Sequence, residues 1–209
     1  MSKVSPAEQA AADAFYQSLG RAVSRWASVE HSLEVLFGKL LGLPRNVSRR
    51  VFHSARSFQG RYDMLAAALD ATTGGPPGFV PALRLIIGKA KAYSVIRNAL
   101  VHDTVAWRGD TRVPDSGHFV IFSSQEPLDP NNVPRPILKE NVDAAGQHFR
   151  MLSAVITHAV NWDGQDQLGS PERLTWLVGK LPSQPHESEP DPTLVEEFLL
   201  GHTRALFPD

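Results

Sequence analysis

The chain has 209 residues, a formal net charge of −1, and 42% hydrophobic and 21% charged residues. That composition suits a globular chain with an apolar core. It contains no cysteine, which excludes disulfides, thiolate metal sites and a cysteine nucleophile, and makes a reducing cytoplasm the expected location. No run of about 18 apolar residues is present, so no membrane span or membrane partner is expected. The opening stretch Met1-Ser2-Lys3-Val4-Ser5-Pro6 lacks the apolar core of an export signal.

The charge is unevenly spread. Residues 39–102 carry ten Lys or Arg against Asp63 and Asp70, a net of +8, whereas residues 164–209 carry −5. Such a segment is either a solvated helix face or an electrostatic footprint for nucleic acid.

In chain order, residues 7–41 predict one long helix. Phe15, Leu19, Val23, Trp26, Val29, Leu33 and Leu40 recur at three- and four-residue steps. Ser5 and Pro6 suit an N-cap and a first turn, and Gly42 and Pro44 stop the helix. At about 1.5 Å per residue it spans roughly 50 Å, which requires another long helix or another subunit along it. Glu30 sits mid-helix beside Val29; it reads either as a surface carboxylate or as a polar partner for a site on a neighbouring helix. His31 and Glu34 are three apart, but no second pair answers them, and a lone His-x-x-Glu is not a metal site. No metal and no cofactor are expected.

Residues 45–53 form a basic connector of one or two helical turns, followed by a helix from Ser57 to Thr72 with Phe58, Tyr62, Leu65 and Leu69 on one face. The run Thr72-Thr73-Gly74-Gly75-Pro76-Pro77-Gly78 breaks the chain and lacks the Lys-Ser/Thr ending of a phosphate-binding loop. From Pro81 the rhythm of Leu83, Ile86, Ala90, Tyr93, Ile96 and Leu100 predicts a helix of about six turns.

The last turns of this helix read Arg97-Asn98-Ala99-Leu100-Val101-His102. Arginine holds phosphate bidentately and histidine titrates near neutral pH, so the trio has the chemistry to bind and cleave a phosphodiester. Asn98 and His102 share a face, while Arg97 points about 100° away. One helix alone therefore does not converge them. The bland reading is three polar side chains finishing a helix.

Thr104–Trp107 and His118–Phe122 predict a β-hairpin inserted between helices, turning through 109–117, with Ile137-Leu138-Lys139 as a third short strand after a proline-rich loop. Helix returns over 141–162. After Gly164 two shorter helices are expected, Pro171–Leu181 and Thr193–Phe207, joined by the acidic, proline-rich 182–192, read as a flexible linker. The last of them offers Leu194, Phe198, Leu199 and Leu206 for burial.

On the Arg97-Asn98-x-x-x-His102 signature near a helix C-terminus, with Trp26-x-x-Val29-Glu30-x-x-Leu33 and Phe58-x-x-Arg61-x-x-x-Leu65 upstream, the chain resembles the HEPN superfamily. The bundle resemblance covers roughly 10–162, and only the six-residue signature is specific. Asp103 departs from the small residue that follows the histidine in many relatives. The resemblance implies an all-α, HEPN-like helical bundle with long antiparallel helices over 5–163, a hairpin insert at about 104–140, and an acidic C-terminal extension over 164–209.

It also implies a metal-independent endoribonuclease acting as a homodimer. In that site His102 handles a proton, Arg97 holds the scissile phosphate and Asn98 orients the phosphate or the histidine; Glu30, on the residue reading above, is their candidate polar partner from a neighbouring helix. Arg45, Arg49, Arg50, Arg56 and Arg61 are the expected RNA-binding residues. A toxin or phage-defence role with an antitoxin partner follows from the same resemblance. The alternative is a HEPN-like module that binds RNA or nucleotides, or dimerises, without cutting.

Overall fold

The computed structural model describes residues 5–108, 117–122, 137–164, 167 and 169–206. The expected turn over 109–116 and proline-rich loop over 123–136 lie outside them, as does the side chain of Leu206. The elements are α1 (Pro6–Leu41), α2 (Arg45–Phe52), α3 (Phe58–Ala71), α4 (Phe79–His102), β1 (Thr104–Arg108), β2 (His118–Phe122), α5 (Lys139–Asn161), α6 (Pro171–Lys180) and α7 (Pro192–Leu206). The molecule is an all-α bundle carrying a small hairpin.

Local chemistry sets the limits of α1. The Ser5 hydroxyl accepts the Glu8 amide at 3.1 Å, and the Glu8 carboxylate accepts the Ser5 amide at 2.8 Å, a reciprocal cap that satisfies two orphan donors. Gly42 ends the helix at φ 61°, a left-handed conformation that favours glycine. Ser57 caps α3 with its hydroxyl alone, accepting the Gly60 amide at 3.1 Å. The apolar stripe of α1 then enters one core with Leu65 of α3, Ile86 and Tyr93 of α4, and Phe149 and Val155 of α5.

Chain direction is more varied than the sequence reading. Helix α4 runs against α5, bringing Tyr93 to Phe149 and Phe79 to Trp162. Helices α1 and α5 instead run parallel: Arg21 lies by Asp143, Ser32 by Ser153, and Lys39 by the carbonyl of Trp162. The hairpin explains this. Phe119 of β2 packs on Phe15 and Tyr16 near the start of α1, so α5 begins there and follows α1 in the same direction.

Strands β1 and β2 pair antiparallel from Thr104↔Phe122 to Arg108↔His118. The third strand expected at Ile137–Lys139 is reduced to one bridge, Ile121 to Ile137. The amide of Leu138 donates to the Asn141 side chain at 2.9 Å, and Lys139 already opens α5. A helix start wins over further pairing.

The C-terminal region also departs from expectation. Leu174, Leu177, Val178, Leu181 and Phe198 belong to the same core as α1. The 182–192 segment, read as a flexible linker, is strapped to the bundle. Tyr93 donates its hydroxyl to the Pro182 carbonyl at 2.9 Å, His148 Nδ1 donates to Pro185 at 2.8 Å, and Asn141 donates to His186 at 2.8 Å. Its composition suggested disorder, but buried donors on α4 and α5 need carbonyl partners, and this segment supplies them.

Candidate active site

The expected site residues gather around Glu30. Its carboxylate accepts the Trp26 indole N–H at 2.8 Å on Oε1 and an Arg61 guanidinium N–H at 2.9 Å on Oε2. Arg97 approaches Oε1 at 3.6 Å. Three helices thus converge: α1 supplies Trp26 and Glu30, α3 supplies Arg61, and α4 supplies Arg97. Arg61 and Glu30 are each about one-sixth exposed, at 15% and 17%, and Arg97 is more open at 27%. Glu30 is therefore not the surface carboxylate of one reading, but the shared counter-charge of two arginines.

Arg97 is the loosest of the three partners. Its guanidinium also donates to the Asn98 side-chain oxygen at 3.0 Å, which draws it toward the helix surface. Asn98 and His102 are exposed on one face of α4. Among the described residues His102 makes no side-chain hydrogen bond or ion pair. It closes the helix, whose last cap is the Asp103 amide on the Ala99 carbonyl at 3.1 Å. Within one chain Arg97 leans to the Glu30 side while His102 faces outward, the divergence expected from their spacing.

The five arginines expected to bind RNA divide into three environments. Arg45, Arg49 and Arg50 line one open cavity of about 800 Å³ on α2 with Asn46 and His53. Arg56 is exposed in the turn between α2 and α3. Arg61 turns inward, with Nε donating to the Ala55 carbonyl at 3.2 Å besides its bond to Glu30.

Sequence reasoning missed a second carboxylate site. Glu34 is buried, its side chain 3% exposed, with His53 Nε2 at 3.1 Å and His31 Nδ1 at 3.6 Å from one oxygen. The other oxygen, Oε1, has no hydrogen-bond partner. His53 answers the His31/Glu34 pair from the C-terminal cap of α2, a relation that spacing along α1 does not carry. Among the described residues no group of three His, Cys, Asp or Glu is arranged to hold a metal ion. His148 and His158 are buried anchors: His158 Nε2 donates to the Phe198 carbonyl at 3.0 Å. Burial lowers the pKa of His148 below the ordinary histidine value, against the opposing hydrogen bonds of Pro185 and Ala144.

Among the described residues no helix is long and apolar enough to cross a membrane. Compared with known proteins, the chain matches no family model, no curated protein and no solved structure. The functional reading therefore rests on the residues and their geometry.

Proposed function

We propose that the chain is a metal-independent endoribonuclease that works as a homodimer, with Arg97, Asn98 and His102 of two copies lining one cleft. The observation that carries this reading is the open C-terminal half of α4. His102 and Asn98 are exposed there, and among the described residues no partner engages the imidazole. Val95, seven residues before His102 and nearly in line with it on the helix, is 70% exposed, and Leu85, further back along α4, is 50% exposed. Exposed apolar side chains on the helix that ends in an exposed imidazole suit a face covered by a second copy.

In that cleft one His102 imidazole takes the proton of a ribose 2′-hydroxyl, and the oxygen attacks the adjacent phosphorus. The bond to the 5′-oxygen of the next nucleotide breaks, and that oxygen recovers a proton from the second copy's imidazole. The products carry a 2′,3′-cyclic phosphate and a 5′-hydroxyl. Arg97, the least firmly held partner of Glu30, swings to the phosphate and offsets its growing charge. Glu30 keeps Arg97 within reach while Arg61 and Trp26 keep Glu30 in place. The α2 cavity with Arg45, Arg49 and Arg50 supplies an RNA track, with Arg56 at its edge. A toxin or phage-defence effector of this kind needs an inhibitory antitoxin partner in its own cell.

The purified protein is expected to cut RNA in the presence of a chelator, and His102→Ala to lose about a hundredfold in rate. Undiminished cleavage by that variant, with contaminating nuclease excluded, overturns the assignment. The Arg97–Glu30 contact favours a second reading, a non-catalytic module that binds RNA or nucleotides. Its signature is salt-sensitive RNA affinity with no product.

A further inference from the structure

Helix α1 has a second charged face, about 140° around its axis from Glu30, since five residues separate Glu30 from Arg25. There Arg21 and Arg25 of α1 meet Arg150 of α5, with Lys139 nearby. Among the described residues one carboxylate is set against the group. Asp143 accepts Lys139 at 2.6 Å and lies 3.8 Å from Arg21. Arg21 also donates to the Ser18 hydroxyl at 3.1 Å. Arg25 and Arg150 make no hydrogen bond or ion pair within the chain among the described residues. Arg25 is only partly exposed, and burial, then Arg150, then Arg21 lower its pKa from the ordinary arginine value. Like charges gathered and partly desolvated around one shared carboxylate oppose folding.

The backbone makes room for the cluster. A Cβ at Gly146 of α5 would lie 3.2 Å from Arg25 Nη1 and 3.3 Å from Ala22 Cα, so glycine lets the guanidinium lie along the helix seam. The parallel run of α1 and α5 extends the feature. Along it Arg21 lies by Asp143, Arg25 by Gly146 and Ser32 by Ser153, and Arg150 falls between the last two on α5. Beyond it lies a groove of about 600 Å³ in which Ser24, Ser28, Ser32, Ser153 and Thr157 sit among alanine, valine, histidine and asparagine side chains. From Arg21 to Ser32 the seam is about 16 Å long, enough for several consecutive phosphates.

We propose that the α1–α5 seam binds an oligophosphate, with Arg25 and Arg150 as the primary phosphate ligands, Arg21 at the rim and the serine-lined groove continuing the track. Guanidinium groups suit phosphate oxygens bidentately, and hydroxyls donate to them at close range. An incoming polyanion supplies the counter-charge that the chain withholds. The proposal stands apart from the ribonuclease reading, because its residues lie on the other side of α1.

The test uses the whole protein and two probes, inorganic tripolyphosphate and a labelled single-stranded 2′-O-methyl RNA that the proposed chemistry cannot cut. Saturable tripolyphosphate binding is expected, beyond that of potassium chloride at matched ionic strength. The double variant Arg25→Gln/Arg150→Gln is expected to weaken binding at least tenfold, and Arg84→Gln on the far helix to leave it unchanged. Loss confined to tripolyphosphate identifies a free oligophosphate as the ligand. Loss that extends to the oligonucleotide identifies a strand backbone, with the slope of log affinity against log salt falling by about 1.4 for two lost phosphate contacts. Equal affinity of wild type and double variant for both probes, or no saturable binding of either probe, overturns the proposal. The unliganded double variant is expected to melt no lower than wild type, because repulsion has been removed. The exposed single variant Arg150→Gln gives the same readout with less risk to packing.

Discussion

Helix α1 meets arginines on both of its flanks, and the two flanks treat them differently. On the α3–α4 side, Arg61 and Arg97 share one carboxylate, Glu30, which is fixed further by the Trp26 indole. On the α5 side, Arg21 and Arg25 draw on Asp143, which is closer to Lys139, and Arg150 makes no ion pair among the described residues. The first flank is a closed electrostatic unit in which one arginine is held loosely; the second is an open one. Where charge is balanced inside the chain, its loss costs stability. Where it is not balanced, its loss costs binding.

The largest effect expected from breaking this comparison comes from Glu30→Ala. It strands two arginines, one of them 15% exposed, and leaves the Trp26 N–H without an acceptor in a residue that is 2% exposed. Loss of about 2–4 kcal/mol of stability is expected, below the range for a fully buried pair because water still reaches the site. Chemical denaturation of wild type and variant measures it. A loss below about 0.5 kcal/mol, the size of an ordinary surface substitution, would show that the network is incidental.

The α3–α4 flank was partly legible in the sequence. The stripe of α1, the caps at Ser5 and Gly42, the helix carrying Arg97 and the hairpin strands all follow from periodicity and turn chemistry, which act within a few residues. Glu30 as a polar partner of Arg97 was one of two open readings. The inward turn of Arg61 was not legible, because its partner lies thirty-one residues away on another helix. The same limit hid His53 from Glu34, and hid the parallel direction of α1 and α5, since an apolar stripe reports that a face is buried but not what covers it. The strap over 182–186 escaped for a different reason. Proline and acidic residues announce no periodic structure, while the donors that fix the strap, Tyr93, Asn141 and His148, are distributed over two distant helices.

That strap gives an intermediate effect. His148 and His186 are both held below the ordinary histidine value, in each case chiefly by burial. The unfolded chain then binds more protons than the folded one over the interval from the ordinary histidine value down to the lowered folded values. Stability is therefore full above that interval and falls as pH decreases through it. Thermal melts from pH 7.5 to 5 should show a declining midpoint, with a shallower decline in His148→Gln. A flat profile in the wild type would mean that the two imidazoles titrate alike in both states.

The smallest effect tests the outward face of α4 and uses two glycines to separate space from conformation. At Gly146 an added Cβ meets Arg25 and Ala22, whereas at Gly88, also within a helix, it meets nothing within 4 Å. Nothing in the single chain therefore requires glycine at 88, and Gly88→Ala should raise the stability of dilute protein by about 0.5–1 kcal/mol through lower backbone entropy in the unfolded state. Gly88 lies between Leu85 and Val95 on the exposed side of the helix, where a second copy would pack closely in the proposed dimer. There the added methyl should weaken association even as it strengthens the monomer. Sedimentation across a concentration series, read beside the melts, sets the two effects against each other. A more stable chain that associates as tightly as before would remove this face from the dimer, and with it the route by which two His102 side chains reach one cleft.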